Sequence, residues 1–450
     1  MITMKKQWKC LLALGMTLTT MGGLGFAADG VQTTSYIVNA DKFQLPYAGN
    51  ETVFNHKINP GYGSALALKS INKDGTIEFY AITDRGPNGD IPTYVKNGKK
   101  MSGKFFPTPD FTPSIGIIKV DPAKDRADII KSIPLKVNGK AISGKPVPSG
   151  LTGSTNEVAL DFNMNNLGTD VNGLDTEGIS LDKDGNFWIS DEYGPFVAKV
   201  DKKGNILEKY GPGQGLPTIL ANRVPNRGSE GVTVDENGHV FAFIQSPMNI
   251  DGKTAKTAKY IRIVELDPTT KATTMYAYPV DTGYKNTGAA KIGDITSIGN
   301  GQFLMIEQGK QNGKMQNLIY KVDLNGATAI PNNGDLELGL LDGQIVPAKK
   351  ELVLDLRAQG WDIEKAEGLA LMPDRKTIVV VNDNDFGIDI NVEDKAVADA
   401  EVDDYTYDAD KQVMIYDEDK APHDVTISLK QNAPAEQQSQ IWFFTLPKAL

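Results

Sequence analysis

The chain has 450 residues, a formal net charge of −10 and one cysteine, Cys10. Clustered positive charge of the kind a phosphate backbone demands is missing, so nucleic acid is not an expected partner. With a single cysteine there is nothing from which to build disulfides, and no Cys-based zinc site.

In chain order, the first element is a basic start at Lys5, Lys6 and Lys9, an apolar run, and small residues at Gly25 and Ala27. It reads as a secretory signal peptide over residues 1–27, its glycine-rich run arguing against a retained anchor. Cleavage after Ala27 removes Cys10 and the three lysines, leaving residues 28–450 cysteine-free at net −13. Thiol catalysis is thereby excluded, and no later segment is apolar enough to span a bilayer. The expectation is a secreted or extracytoplasmic monomer with no membrane span after signal removal.

A strand around Ser35 to Leu45 comes next, and then a phrase that recurs along the chain. An acidic residue and a glycine lead a short apolar strand, a turn such as Asp-Gly, a second apolar strand and a polar cluster. It is loosest at Gly63 to Pro87 and fullest at Asp175 to Pro195, with echoes at Ser229 to Met248, Gly293 to Gly309 and Ala366 to Asp385. A second kind of strand follows each phrase: Ile115 to Asp121, Phe196 to Asp201, Ile261 to Asp267, Leu318 to Asp323 and Trp442 to Leu446. These units predict an all-β chain, a single β-propeller of four-stranded antiparallel blades. Five repeats are visible, and the interval from Asp84 to Glu177 leaves room for a sixth, so five or six blades are expected. Pairing of the strand at Ser35 to Leu45 with the C-terminal one would close the ring and remove its edges. Between Asp389 and Gln440 an acidic insertion in the last blade reads as a solvated surface excursion, with a calcium-stabilised loop as the alternative.

Hairpin geometry turns the phrase into a candidate site. The start of the first strand lies beside the end of the second, which pairs Glu177 with Asp191, Glu230 with Gln245, Asp294 with Glu307 and Glu367 with Asp383. Arranged radially, these polar ends form a ring of carboxylates on one face.

The segments Thr83 to Pro87 (TDRGP), Asp175 to Ser180 (DTEGIS), Ser190 to Pro195 (SDEYGP), Asn226 to Val232 (NRGSEGV) and Ala366 to Ala370 (AEGLA) together resemble the phytase-like family, also described as having esterase-like activity of phytase. The resemblance covers nearly all of residues 28–450 and implies a secreted or periplasmic β-propeller with phosphoester or ester hydrolase activity. A shared fold by itself does not fix the chemistry.

Phosphoester hydrolysis on an acidic, histidine-poor scaffold calls for metal ions, and carboxylates hold hard cations such as Ca²⁺. The expected ligands are Glu177, Asp191, Glu192, Glu230, Glu307, Glu367, Asp383 and Asp385; Arg85 and Arg227 would contact the oxygens of a phosphate ester or other small anionic substrate. Glu177, Asp191, Glu230, Arg85 and Arg227 form the expected catalytic set. Against this stands a structural role for each carboxylate as acceptor of backbone N–H groups from the next blade. Two other functions stay open, a non-catalytic Ca-stabilised binding propeller of the cell envelope and a sugar-lactone type hydrolase. A serine-esterase mechanism lacks its G-x-S-x-G elbow.

Overall fold

Each recurring phrase folds as an antiparallel strand pair, and in most of them an aspartate holds the turn. The structure is a computed structural model that describes residues 30–47, 54 and 57–450; the expected signal peptide lies outside them. Asp182 Oδ1 accepts the backbone N–H groups of Asp184 and Asn186 at 3.0 and 2.9 Å, and Asp235 does the same for Asn237 and His239. These side-chain bonds replace the backbone pairing lost at the bend. Gly185 and Gly238 supply the left-handed backbone, with φ of 76° and 86°.

After β1 (Gln32–Asn39), the strands β2 (Ala65–Ile71), β3 (Ile77–Ile82), β4 (Ser114–Asp121) and β5 (Arg126–Pro134) pair in sequence order. The same holds for β6 (Thr176–Leu181), β7 (Phe187–Asp191), β8 (Phe196–Val200) and β9 (Ile206–Pro212). It holds again for β10 (Ser229–Val234), β11 (Val240–Ile244), β12 (Tyr260–Leu266) and β13 (Thr273–Pro279), and for β14 (Lys291–Gly299), β15 (Gln302–Gln311), β16 (Lys314–Asp323) and β17 (Lys349–Asp355). Finally β18 (Gly368–Leu371) and β19 (Thr377–Val381) pair with the C-terminal β20 (Gln440–Thr445), whose other neighbour is β1. The register Ser35↔Trp442 is the N- to C-terminal pairing expected from the sequence. Because β1 also runs parallel to β5 through Val38↔Ala127, the first and last runs share one eight-stranded sheet. Among the described residues the only helices are short 3₁₀ turns.

The first strands β2, β6, β10, β14 and β18 pack side by side, and β18 returns to β2, a propeller-like arrangement. Glycine permits that approach: a methyl group on Gly178 would meet Glu230 O and Val232 N at 2.7 Å, and one on Gly231 would meet Ile295 N at 2.7 Å. Gly231→Ala is accordingly expected to destabilise the protein by about 1–3 kcal/mol, measured as a lower urea midpoint. The strand pairing slips at these same places, between Thr176 and Gly178, Ser229 and Val232, and Ile292 and Ile295. Such bulges re-aim the acidic side chains out of the ladder. Apolar residues fill the space between the sheets, with Trp188, Phe243, Phe303 and Met305 in the largest cluster.

The acidic insertion is folded into paired strands, while Glu393, Asp399, Glu401, Asp403 and Asp410 stay exposed. Ile388–Asp394 pairs with Val425–Gln431, and Tyr405–Asp408 runs parallel to Thr93–Lys96 from the connection between β3 and β4. Phe105, Phe111, Phe386, Ile390 and Leu429 are buried together beneath these strands. Several of its carboxylates are engaged locally, Asp394 by His423 at 2.5 Å and by the Tyr405 hydroxyl at 2.9 Å, Asp408 by Lys411 at 2.8 Å. Its spaced Ile, Val and Tyr residues drive this folding, which the run of acidic residues obscured. A second connection, between β16 and β17, is pinned to the body by a buried ion pair in which Arg262 Nε and Nη2 donate to Glu337 Oε1 and Oε2 at 2.7 and 2.8 Å.

Candidate functional site

The heads of the inner strands converge on a cavity of about 340 Å³. Glu177, Glu192, Glu230, Glu367, Asp383 and Asp385 line it together with Arg85 and Arg227, so eight of the residues singled out in the sequence come together. Asp191 and Glu307 do not line it. Asp191 is buried behind the wall, accepting the N–H of Asp175 at 2.7 Å, and burial pushes its carboxyl up to about 7. Glu307 is fully buried elsewhere, between the hydroxyls of Tyr278 (2.5 Å) and Tyr284 (3.1 Å) and Lys350 Nζ (2.9 Å). The bulge at Gly293 and Asp294 displaces the expected partner. Asp294 instead accepts N–H groups of Leu66, Leu369 and Ile295 at 3.1, 2.9 and 2.8 Å, tying three inner strands to one carboxylate.

Several lining residues were not singled out in the sequence: Asp84, Asp175, Lys104, Lys291 and Lys365. A signal for two of them was present. Alternate residues of a strand share a face, and Asp175 and Lys365 each stand two positions before the phrase's glutamate, Glu177 and Glu367.

Carboxylate oxygens of Asp175, Glu177 and Glu192 all lie within 4.8 Å of one another. Arg85 braces this trio: its Nη2 stands 2.6 Å from Asp175 Oδ2 and 3.7 Å from Glu192 Oε2, and its backbone N–H donates to Asp175 Oδ1 at 3.0 Å. Arg85 Nη1 is buried 3.6 Å from Glu157 Oε2, with no hydrogen-bond partner among the described residues. Gln245 Nε2 donates to both Glu192 Oε1 (2.9 Å) and Glu230 Oε2 (2.8 Å), fixing those two carboxylates relative to each other. Across the cavity Lys365 Nζ holds Asp383 (2.9 Å) and Asp385 (2.6 Å). Asp385 and Phe386 adopt left-handed φ of 46° and 56°, a strained turn that presents Asp385 to the cavity.

Crowding of like charge out of water sets the electrostatics. Burial, then the neighbouring charge of Asp175, pushes Glu192 up to about 8; burial, then Asp383, pushes Glu367 up to about 7. Glu177 and Glu230 are raised well above the usual carboxylate range, again by burial first and by neighbouring carboxylates second. A group raised in the folded state contributes stability below its unfolded value and loses it as the pH climbs through the folded one. In chelator the protein is therefore expected to have a higher thermal midpoint at pH 5 than at pH 8, several degrees apart. Calorimetric scans across that window check this; a midpoint that rises with pH would contradict it.

A protein of Arthroderma benhamiae, known only as an uncharacterized secreted protein, is 26% identical over 372 residues, covering 67% of this chain and 71% of its own length. Among solved structures, PorZ, a surface component of the type-IX secretion system of Porphyromonas gingivalis, superposes with TM-score 0.35 at 10% identity, covering 75% of this chain and 33% of PorZ. This chain thus spans about a third of PorZ's length. Virginiamycin B lyase from Staphylococcus aureus gives TM-score 0.30 at 12% identity, covering 78% of this chain and 95% of the lyase. Among the described residues no helix is long and apolar enough to cross a membrane. The model of the phytase-like family, described as esterase-like activity of phytase, matches residues 61–386, and the chain belongs to that family.

Proposed function

We propose that this chain is a secreted, monomeric, metal-dependent hydrolase of phosphate esters, built on a single five-bladed propeller with its site at one end of the channel. The observation that carries the reading is the meeting, in one solvent-reachable cavity, of three carboxylates able to share an ion with the guanidinium groups of Arg85 and Arg227. Asp175, Glu177 and Glu192 are an all-oxygen donor set, which suits a hard cation, and Ca²⁺ is the proposed one. Their crowding in a buried wall is the condition a dication would relieve. Bound there, it would polarise a phosphoryl oxygen and lower the pKa of a bound water.

The chain's own residues do the rest. Arg85 orients Asp175 through Nη2 and its backbone N–H, with Nη1 turned toward Glu157 at 3.6 Å. Gln245 holds Glu192 and Glu230 in place. Glu367, with its carboxyl near 7, can hold or pass a proton at neutral pH. Asp191 acts through Asp175, whose N–H it accepts.

The test is release of phosphate from phytate and from a simple aryl phosphate by purified protein, with calcium and with chelator. Calcium-dependent release supports the hydrolase. No release from folded protein would favour a non-catalytic, calcium-stabilised binding propeller of the cell envelope, a reading supported by Asp294 and Asp191, whose oxygens serve backbone N–H groups. A sugar-lactone hydrolase would require an apolar substrate pocket, and this wall is polar but for Pro225.

A further inference from the structure

Cations reach the cavity from several elements, and most are already committed. Arg85 is paired with Asp175 at 2.6 Å, Lys365 with Asp383 and Asp385 at 2.9 and 2.6 Å, and Lys104 with Asp90 at 2.5 Å. Arg227 gives Nη1 to the carbonyl of Gly288, which ties its guanidinium to the segment leading into β14. Lys291, the first residue of β14, is exposed and lines the same cavity, and among the described residues its side chain forms no hydrogen bond or ion pair. Its backbone is nonetheless fixed: Lys291 pairs with Gln308, and the next N–H, of Ile292, donates to Gln245 O at 3.1 Å. A rigid strand start thus presents a flexible, uncommitted ammonium at the mouth of an acidic cavity.

A lysine retained only to offset resident carboxylates would close on them directly, as Lys365 does. Lys291 stays beyond ion-pair distance of Glu192, Glu230 and Glu367 while its charge reaches all three. A compact, hydrated ammonium with three free donors suits an anion that arrives from solvent.

We propose that Lys291, with Arg227, is the anion anchor of this site, a specificity-determining residue that favours an ester carrying a phosphate group over an uncharged ester. The inference rests on the phosphoester reading of the cavity. Its test compares calcium-loaded wild type, Lys291→Met and Lys291→Arg by calorimetric binding of inorganic phosphate, and by KM and kcat on an aryl phosphate and an uncharged aryl acetate. Lys291→Met is expected to weaken phosphate binding and raise the aryl phosphate KM about tenfold, with kcat and any aryl acetate turnover changed less than about threefold. Lys291→Arg keeps the charge and stays within about threefold of wild type in phosphate binding.

Phosphate binding by Lys291→Met equal to wild type would overturn the proposal. So would a loss of phosphate binding matched by loss of calcium affinity, which would make Lys291 a balance for the carboxylates only. Wild type that binds no phosphate would overturn it as well. Phosphate binding that depends on Lys291 without turnover of any ester would leave the anchor standing and remove the hydrolase.

Discussion

Glu177→Gln is expected to lower calcium-dependent phosphate release by at least about a hundredfold, because loss even of a group that only supports a metal ligand costs roughly 10- to 100-fold. Glu177 stands in the bulge of β6, beside Asp175 and Glu192, where an ion shared by the three would depend on its charge. Glutamine keeps the shape and removes the charge. Since burial already favours the protonated form of Glu177, the neutral amide should not unfold the protein. In chelator at pH 8 the variant's thermal midpoint should match or exceed that of wild type. The pair of readouts separates loss of a ligand from loss of the fold: activity retained within a few-fold would remove Glu177 from the site, whereas a large fall in the midpoint would mark it as structural.

Glu337→Ala is expected to destabilise the protein by about 3–5 kcal/mol, the usual consequence of stripping a buried charge of its partner. Arg262 and Glu337 are 1% and 5% exposed, too little for water to replace the lost carboxylate. The remaining Arg262 contacts, Nη1 to the Pro331 carbonyl at 3.1 Å and Nη2 to the Asn333 carbonyl at 2.7 Å, hold the same connection and cannot neutralise the guanidinium. Replacing both members, Arg262→Met with Glu337→Leu, should recover much of the loss, because two apolar side chains carry no desolvation penalty. Urea denaturation of the two variants checks this. A single variant within about 1 kcal/mol of wild type would show the pair to be relaxed by water.

By itself, the sequence determined the strand pairs, their turns and the polar character of one end. An Asp-Gly or Asn-Gly step between two apolar runs commits neighbouring residues to a hairpin, so residues such as Asp182 with Gly185 or Asp235 with Gly238 needed no distant partner. The glutamate before each inner glycine was legible for the same reason, and Glu177, Glu230 and Glu367 do line the cavity. Only the tertiary structure decided which carboxylates face the cavity and which are used up within the framework. Asp294 and Glu307 looked equivalent to the others in the sequence. One is consumed by N–H groups of strands 75 and 228 residues away, the other by Lys350 of β17, Tyr278 of β13 and Tyr284 of the connection after β13. The same holds for Arg85, committed to Asp175, and for Lys291, left uncommitted. A side chain's free valence depends on which groups the closing ring brings within about 3 Å of it. That is a property of distant segments meeting, and no local pattern encodes it.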